Sequence, residues 1–284
     1  MDFLARQFEE HRTHLRAVAY RMLGSLTEAD DAVQEAWLRL ARVEPGEIGN
    51  LGGWLTTVVG RVCLDMLRTR RIRQEHPLDA LPDPVVSREG TDDPEQQALI
   101  ADSVGLALLV VLESLNPAER LAFVLHDMFG MAFEEIAPVV DRTPAAARKL
   151  ASRARRQVRG AAPAPDPDPA TQRRVVNAFL TAARGGDLDG LLAILDPDVV
   201  LRVDSGSMRV IRGAAAVAGQ ADTFQRMATI ATAQPAMVNG VAGLVNSVGD
   251  ELVSIMSFTV VDERITAIDI FSDPVRLTRA LPGH

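Results

Sequence analysis

Through most of the first 160 positions apolar residues recur at three- and four-residue spacing, the mark of amphipathic helices. Three such patterns cover roughly 3–22, 27–43 and 51–72. In the second, Ala29, Ala32, Val33, Ala36, Trp37 and Leu40 share one face; in the third, Leu51, Trp54, Leu55, Val58, Val59, Val62 and Met66 do. Helical patterns resume from about 94 and run to 159. Asn116-Pro117-Ala118-Glu119 supplies an N-cap, a first-turn proline and an N3 acid. FEEIAPVV then predicts a short helix burying Phe133, Ile136, Ala137 and Val140. After the turn Asp141-Arg142, Thr143 and Pro144 open a further helix with a buried stripe of Ala147, Leu150, Ala151, Ala154 and Val158.

The period changes beyond residue 170. Helical stretches at 172–185, 187–195 and 213–227 alternate with the β-rich runs VVLRV, ELVSIMSFTVV and RITAIDIF. Gly249-Asp250 and Asp262-Glu263 lie between such runs as tight hairpin turns. These elements predict an α+β domain with helices on one face of a curved antiparallel sheet. GAAPAPDPDPA, residues 160–170, has four prolines and no bulky apolar residue, so it reads as an extended linker. The predicted organisation is multidomain: a helical module at 1–74, an acidic linker at 75–93, a second helical module at 94–160, a Pro-rich linker at 161–170 and the α+β domain at 171–284.

Composition adds two constraints. The chain has 284 residues, 47% of them hydrophobic, without a run of about 18 apolar residues or a secretory leader pattern, which predicts a soluble, cytoplasmic protein with no membrane partner. Its single cysteine, Cys63, fits a reducing compartment. The net charge of −8 argues at first against a nucleic-acid partner. Between Glu75 and Asp102, however, eight acids face one base, Arg88, so that segment holds −7 of the total. Of the thirty basic residues all but Lys149 are arginine, a bias that a GC-rich genome explains as well as phosphate recognition does.

The basic residues cluster where they bear on function. On the third helix Arg61, Asp65 and Arg68 fall one turn apart opposite the apolar face, and the helix ends in Arg70, Arg71 and Arg73. That exceeds what end-stabilisation of a helix needs, and it suits phosphates or unstacked bases. The helix after Thr143 exposes Arg148, Lys149, Arg153, Arg155, Arg156 and Arg159 and carries no acid after Asp141. With alanines lining its buried side, it is the pattern of a helix-turn-helix whose second helix enters the major groove. The second helix presents Asp31, Gln34, Glu35 and Leu38 on one exposed stripe, which alone is no more than an ordinary solvated face.

Taken in order, DDAVQEAWLRL, GWLTTVVGRVCLDMLRTRR, LNPAERLAFVLHDMFGMAFEEIA and ARKLASRARRQV closely resemble regions 2 and 4 of extracytoplasmic-function (ECF) sigma factors, over almost all of residues 1–160. The last domain resembles the SnoaL-like, cone-shaped domain of the SigJ and SigI type. The resemblance implies that Asp31, Gln34, Glu35 and Leu38 bind core RNA polymerase, docking on the clamp helices of its largest subunit. It implies that the loop GEIGNLGG and the third helix read and hold open the minus-ten element, with Asn50 near a flipped base and Arg61, Arg68, Arg70 and Arg71 on the DNA backbone. Residues 142–156 would read the minus-thirty-five element, giving Arg142, Thr143, Arg148, Lys149, Ser152, Arg153 and Arg156 as promoter DNA contacts. The acidic linker would thread toward the polymerase active cleft and RNA exit path. Arg61 stands where many members carry Asn. LPDPVV, VDSGSM and FSDPVRL depart from the proline-acid-proline, glycine-rich and Asn-Pro-Asp-Lys motifs of this type.

Two rival readings follow from the same residues. A one-component regulator, with a helix-turn-helix and a cone that binds a small molecule, has no use for the module at 1–73. A cyclase or isomerase of the SnoaL-like kind needs a positioned acid or base. The last domain lacks Tyr, Trp, Cys and Lys, and its only histidine is His284. Asp204 and Asp269 are its candidate inward carboxylates, with loop or exposed strand positions the expected alternative. No catalytic residue, cofactor or metal site is predicted, since His11, His14, His76 and His126 show no ligand spacing. The α+β domain is expected to contact the sigma modules within the same chain; the sequence names no small-molecule ligand for it.

Overall fold

The computed structural model describes residues 3–43, 48–72, 81–87, 105–161, 165–166 and 168–281. The helical first half begins with α1 (Phe3–Leu23), α2 (Leu26–Leu40) and α3 (Leu51–Ile72). Gly24, at φ 68°, ends α1 in the left-handed conformation that glycine adopts without steric cost. Ser25 then caps α2, its Oγ accepting from Glu28 N at 3.4 Å. Asn50 caps α3, with Oδ1 accepting from Gly53 N at 3.0 Å.

On α2 the buried residues are Ala29, Ala32, Val33, Ala36 and Leu40, as the pattern predicts, while Trp37 of the same face is half-buried. On α3 burial is shifted and broader: Leu51, Trp54 and Met66 are half-buried, while Gly60, Cys63, Leu64 and Leu67 join Leu55, Val58, Val59 and Val62. The helix has two packed faces. One meets α1 and α2. The other meets the next module, where Leu121, Leu125 and Val139 carbons lie 3.5–3.6 Å from the place a Cβ would take on Gly60, leaving room for a methyl and nothing larger. Burial pushes the Cys63 thiol up to about 12, so it is inert at neutral pH.

The second module contains α4 (Gly105–Glu113), α5 (Pro117–Phe123), one π-helical turn (Val124–Met128), α6 (Phe133–Ile136) and α7 (Pro144–Ala161). Asn116 and Pro117 start α5 as the sequence predicts, with Asn116 Oδ1 accepting from Ala118 N at 3.2 Å. The expected helix over FEEIAPVV is helical only across its first four residues. Asp141, at φ 54°, makes the turn into α7. Ala147, Ala151 and Ala154 are fully buried there, while Leu150 and Val158 are half-buried.

The chain divides into two compact units, one joining residues 1–77 with 109–162 and the other 78–108 with 163–284. The two helical modules are therefore one body, and the middle of the acidic linker belongs with the α+β domain. That domain comprises α8 (Pro169–Gly185), α9 (Leu188–Ile194), β2 (Leu195–Asp204), β3 (Met208–Arg212), α10 (Ala214–Ala218), α11 (Ala221–Ile230), β4 (Thr232–Val238), β5 (Val241–Val248), β6 (Glu251–Val261), β7 (Arg264–Phe271) and α12 (Pro274–Ala280). A linker strand, β1 (Val86–Ser87), completes a seven-stranded sheet in the order β1-β4-β5-β6-β7-β2-β3.

Every neighbouring pair is antiparallel except β2 and β7, which run parallel. The sheet is antiparallel-rich, as expected, with this one parallel pair. Strand β2 is inserted between the hairpin partner β3 and the last strand, and the long excursion through α10 to β6 brings β7 back alongside it in the same direction. One sheet face packs Leu201, Leu244, Phe258 and Ile268 against Val176 and Phe179 of α8, Leu191 of α9 and Phe224 of α11. Asp262 and Glu263 both have positive φ, 48° and 61°, in the tight turn between β6 and β7. Asn239 and Gly240, at 50° and 76°, make the same kind of turn between β4 and β5.

Candidate nucleic-acid and partner interfaces

Within the helical unit, α2 presents Asp31, Gln34 and Leu38 to solvent, Leu38 with 45% of its surface exposed, and Glu35 half-buried beside them. Glu35 accepts from Arg39 Nε at 3.0 Å, one turn on, which fixes its carboxylate on the stripe. The stripe adjoins a groove between α1 and α2 floored by Phe8, Val33 and Trp37 and rimmed by Arg12, Asp30 and Gln34.

On α3, Arg61, Asp65, Arg68 and Arg71 are exposed, and Arg68 lies 3.6 Å from Asp65, a weak surface pair that steadies one guanidinium. Two expected DNA contacts have structural duties as well. Arg70 donates from Nε to Glu28 Oε1 at 3.2 Å and from Nη1 to Leu23 O at 3.2 Å, so its guanidinium closes the corner between α1 and α2. Asn50 uses its side chain to cap α3. An asparagine directly before an apolar helix is a readable cap signal, and Asn50 carried it. Arg73 lies outside the described residues. Arg61 donates from Nη2 to the carbonyl of Pro138 at 3.0 Å, in the turn after α6.

In the helix-turn-helix, Thr143 Oγ1 accepts from Ala146 N at 3.3 Å and starts α7. Exposed along this helix are Arg142, Thr143, Arg148, Lys149, Ser152, Arg153 and Arg156. Arg148 lies over the Phe133 ring at 5.1 Å, Arg153 is 3.7 Å from Glu119, and Arg155 bonds Asp127 Oδ1 through Nε at 2.8 Å. Lys149, Ser152 and Arg156 project from the same helix without an ion pair among the described residues. The surface has the length and charge of a groove-reading helix, with its outer cations anchored by acids at the periphery.

Arg120 on α5 was not legible as special. It is 1% exposed, donates from Nε and Nη2 to Arg21 O at 3.3 and 3.2 Å, and pairs with Glu113 at 2.8 Å. Its signal was a charge on the apolar stripe of a short helix. The π turn places Phe129 against α1, edge-on to His14 with ring centres 5.2 Å apart and 5.0 Å from the Arg21 guanidinium.

The α+β unit holds the linker. Arg276, on α12 behind the cap residue Asp273, donates from Nε and Nη2 to Asp83 Oδ1 at 3.1 and 2.8 Å. It also bonds Asp204 Oδ2 and the Leu81 carbonyl. Leu81 N donates to Asp204 Oδ2 at 3.3 Å, Val85 N to Asn239 Oδ1 at 3.2 Å, and Asn239 N to Val85 O at 2.8 Å. Val86 and Ser87 then pair with Val238 and Met237. The linker thus enters the sheet as a strand. Asp204 is 3% and Asp269 0% exposed, correcting the expectation of loop or surface positions: alternation on β2 and β7 turns both to the sheet face opposite Leu201 and Ile268, where each meets an arginine. Asp269 Oδ1 accepts from Arg202 at 2.7 Å, and burial holds its carboxyl above the usual range against the opposing pull of Arg202. Among the described residues no group of three or more His, Cys, Asp or Glu is placed to hold a metal ion, and no helix is long and apolar enough to cross a membrane.

Comparison with known proteins matches residues 7–72 to the Sigma-70 region 2 model and residues 105–158 to the Sigma-70 region 4 model. The chain is 36% identical to a probable ECF RNA polymerase sigma factor, SigI of Mycobacterium tuberculosis, over 97% of this chain and 95% of that one. It is 44% identical to the ECF RNA polymerase sigma factor SigJ of the same species over 73% of this chain and 68% of that one. The crystal structure of the M. tuberculosis SigJ protein superposes with a TM-score of 0.79 at 35% identity, covering 98% of this chain and 99% of that one.

Proposed function

The chain belongs to the extracytoplasmic-function sigma factors of RNA polymerase, and on that premise we propose that its α+β domain regulates initiation by gripping the linker between regions 2 and 4. As a sigma factor it binds core RNA polymerase and directs initiation at promoters. The observation that carries the finer reading is Arg276, whose single guanidinium joins Asp83 of the linker to Asp204 of the sheet. A linker fixed as a strand of another domain is withheld from any path through the polymerase, so release of the grip and entry into the holoenzyme are coupled. Asp31, Gln34, Glu35 and Leu38 are the core-binding residues. Arg68, Arg71, Arg142, Thr143, Lys149, Ser152 and Arg156 contact promoter DNA, with Arg148 and Arg153 on the flank of the reading helix and Asn50 and Arg70 shaping the minus-ten surface.

The protein acts where the polymerase does, in the cytoplasm, and as a regulator rather than a catalyst. Asp204 and Asp269, the carboxylates a cyclase or isomerase reading would use, each meet an arginine in the folded domain. Run-off transcription by the holoenzyme across a panel of mutated promoters tests the grip. Arg276→Ala and Asp83→Asn in the full chain should change transcript amount and leave the ranking of promoters as in the wild type. Unchanged amounts would remove the regulatory role, and a new ranking would make the domain part of recognition.

A further inference from the structure

We infer that Arg61 is a two-state contact: in the free chain it latches region 4 onto region 2 through the Pro138 carbonyl, and in the promoter complex the same guanidinium takes a DNA phosphate. The inference rests on the reading of α3 as the minus-ten surface. Its physical basis is that one donor group faces two alternative acceptors of similar kind. Pro138 lies past the last turn of α6, where helix carbonyls lack intrahelical donors and carry partial negative charge. Arg61 Nη2 supplies the donor at 3.0 Å, as a phosphate oxygen would accept it.

Size decides that the two contacts cannot hold at once. The helical unit joins residues 1–77 and 109–162, and a globule of about 130 residues has a radius of gyration of only about 14 Å. The minus-ten and minus-thirty-five elements are separated by some 25 base pairs, about 85 Å of duplex at 3.4 Å per pair. Regions 2 and 4 must part to read both. In the closed unit the turn before the groove-reading helix reaches Arg61 through Pro138, and Leu121, Leu125 and Val139 lie against the adjacent Gly60. Other closing contacts are Arg120 on the Arg21 carbonyl and Phe129 against His14 and Arg21. Phe129 follows the π turn directly, an uncommon winding that occurs mostly as a single turn. Arg61 differs from the other closing residues in being exposed, so its release uncovers no buried charge.

Two measurements on the full chain separate this from simpler roles. Nitroxide labels at Glu10→Cys and Arg159→Cys report the distance between regions 2 and 4 by pulsed electron resonance, the buried native thiol of Cys63 staying unlabelled. Arg61→Ala should move population from the short distance to longer ones in the free chain. In the holoenzyme it should also lower the salt dependence of promoter binding by about one unit of log-log slope, the signature of one lost phosphate contact. Phe129→Ala should lengthen the distance in the same way and leave that slope unchanged. A changed slope with an unchanged distance makes Arg61 a DNA residue only, and a changed distance with an unchanged slope makes it an interdomain contact only; either result overturns the inference. Failure of the wild-type holoenzyme to bind promoter DNA would instead remove the reading of α3, and the two failures are distinguishable.

Discussion

Arg276 and Asp83 stand 193 positions apart, yet two nitrogens of the one guanidinium converge on a single carboxylate oxygen, at 3.1 and 2.8 Å. Asp83 is 7% and Asp204 3% exposed, so the arginine is the counter-charge for two carboxylates largely removed from water. Arg276→Ala removes this counter-charge from both. The α+β unit should lose about 3–5 kcal/mol of stability, read by denaturant unfolding, and the bonds around residues 81–87 should become sensitive to limited proteolysis. Asp83→Asn in the same background should recover part of the loss, because it removes one buried charge; a double mutant no more stable than Arg276→Ala would show that Asp83 and Arg276 are not coupled.

Reversing charge at Asp31 and Glu35 to arginine should weaken binding to core polymerase about ten-fold, equivalent to about 1.4 kcal/mol. Both side chains are on the outer stripe of α2, so circular dichroism and the unfolding midpoint should stay as in the wild type. Equal core affinity for wild type and variant in a pull-down or titration would remove the stripe from the interface.

Along α7 position separates base readers from phosphate binders. Lys149→Ala and Ser152→Ala should alter the order of preference among minus-thirty-five sequences, whereas Arg156→Ala should weaken all of them alike and lower the salt slope by about one. Arg148 lies on Phe133, so Arg148→Ala should reduce both affinity and stability of the helix-turn-helix. A larger shift in preference for Arg156→Ala than for Lys149→Ala would place the helix in the groove the wrong way round.

The Asp269 carboxyl has its pKa raised by burial. For an acid whose folded value lies above its unfolded one, the unfolded chain gives up its proton first as pH rises. The α+β unit therefore loses stability as pH climbs from the ordinary carboxylate range through the raised folded value. Chemical denaturation from pH 4 to pH 8 should show this decline in the wild type and a flatter profile in Asp269→Asn. Identical slopes would mean that Asp269 is charged in both states.

Much of the helical half was legible because burial there follows one period. The α2 stripe, the Asn116-Pro117 start and the alanine face of α7 all emerge from spacing and cap chemistry alone. What spacing hides is a second packed face: on α3 Gly60 lies against Leu121, Leu125 and Val139 of region 4, and Leu64 and Leu67, one and two turns on, are buried as well, which no local pattern announces. Strands β4 and β5 were missed for opposite reasons. In β5 six consecutive residues from Val241 to Asn246 are buried, erasing the alternation that marks a strand, and β4, whose outer edge is met only by the two-residue β1, carries Pro235. The Asn239-Gly240 turn between them was the available signal. The linker grip was beyond reach, because it depends on pairing residues such as Asp83 and Arg276 across most of the chain.

That separation also sets an order of events at the ribosome. Strand β1 waits for β4, and Asp83 waits for Arg276, eight residues before the end of the 284-residue chain. At about 5–20 residues per second, roughly ten to forty seconds pass between the emergence of the linker and that of the arginine that holds it. Once region 4 has emerged, regions 2 and 4 are complete while the linker is not yet held, so under the proposed grip each newly made molecule passes through an unregulated period, and a nonsense mutation between codons 163 and 276 would make that period permanent.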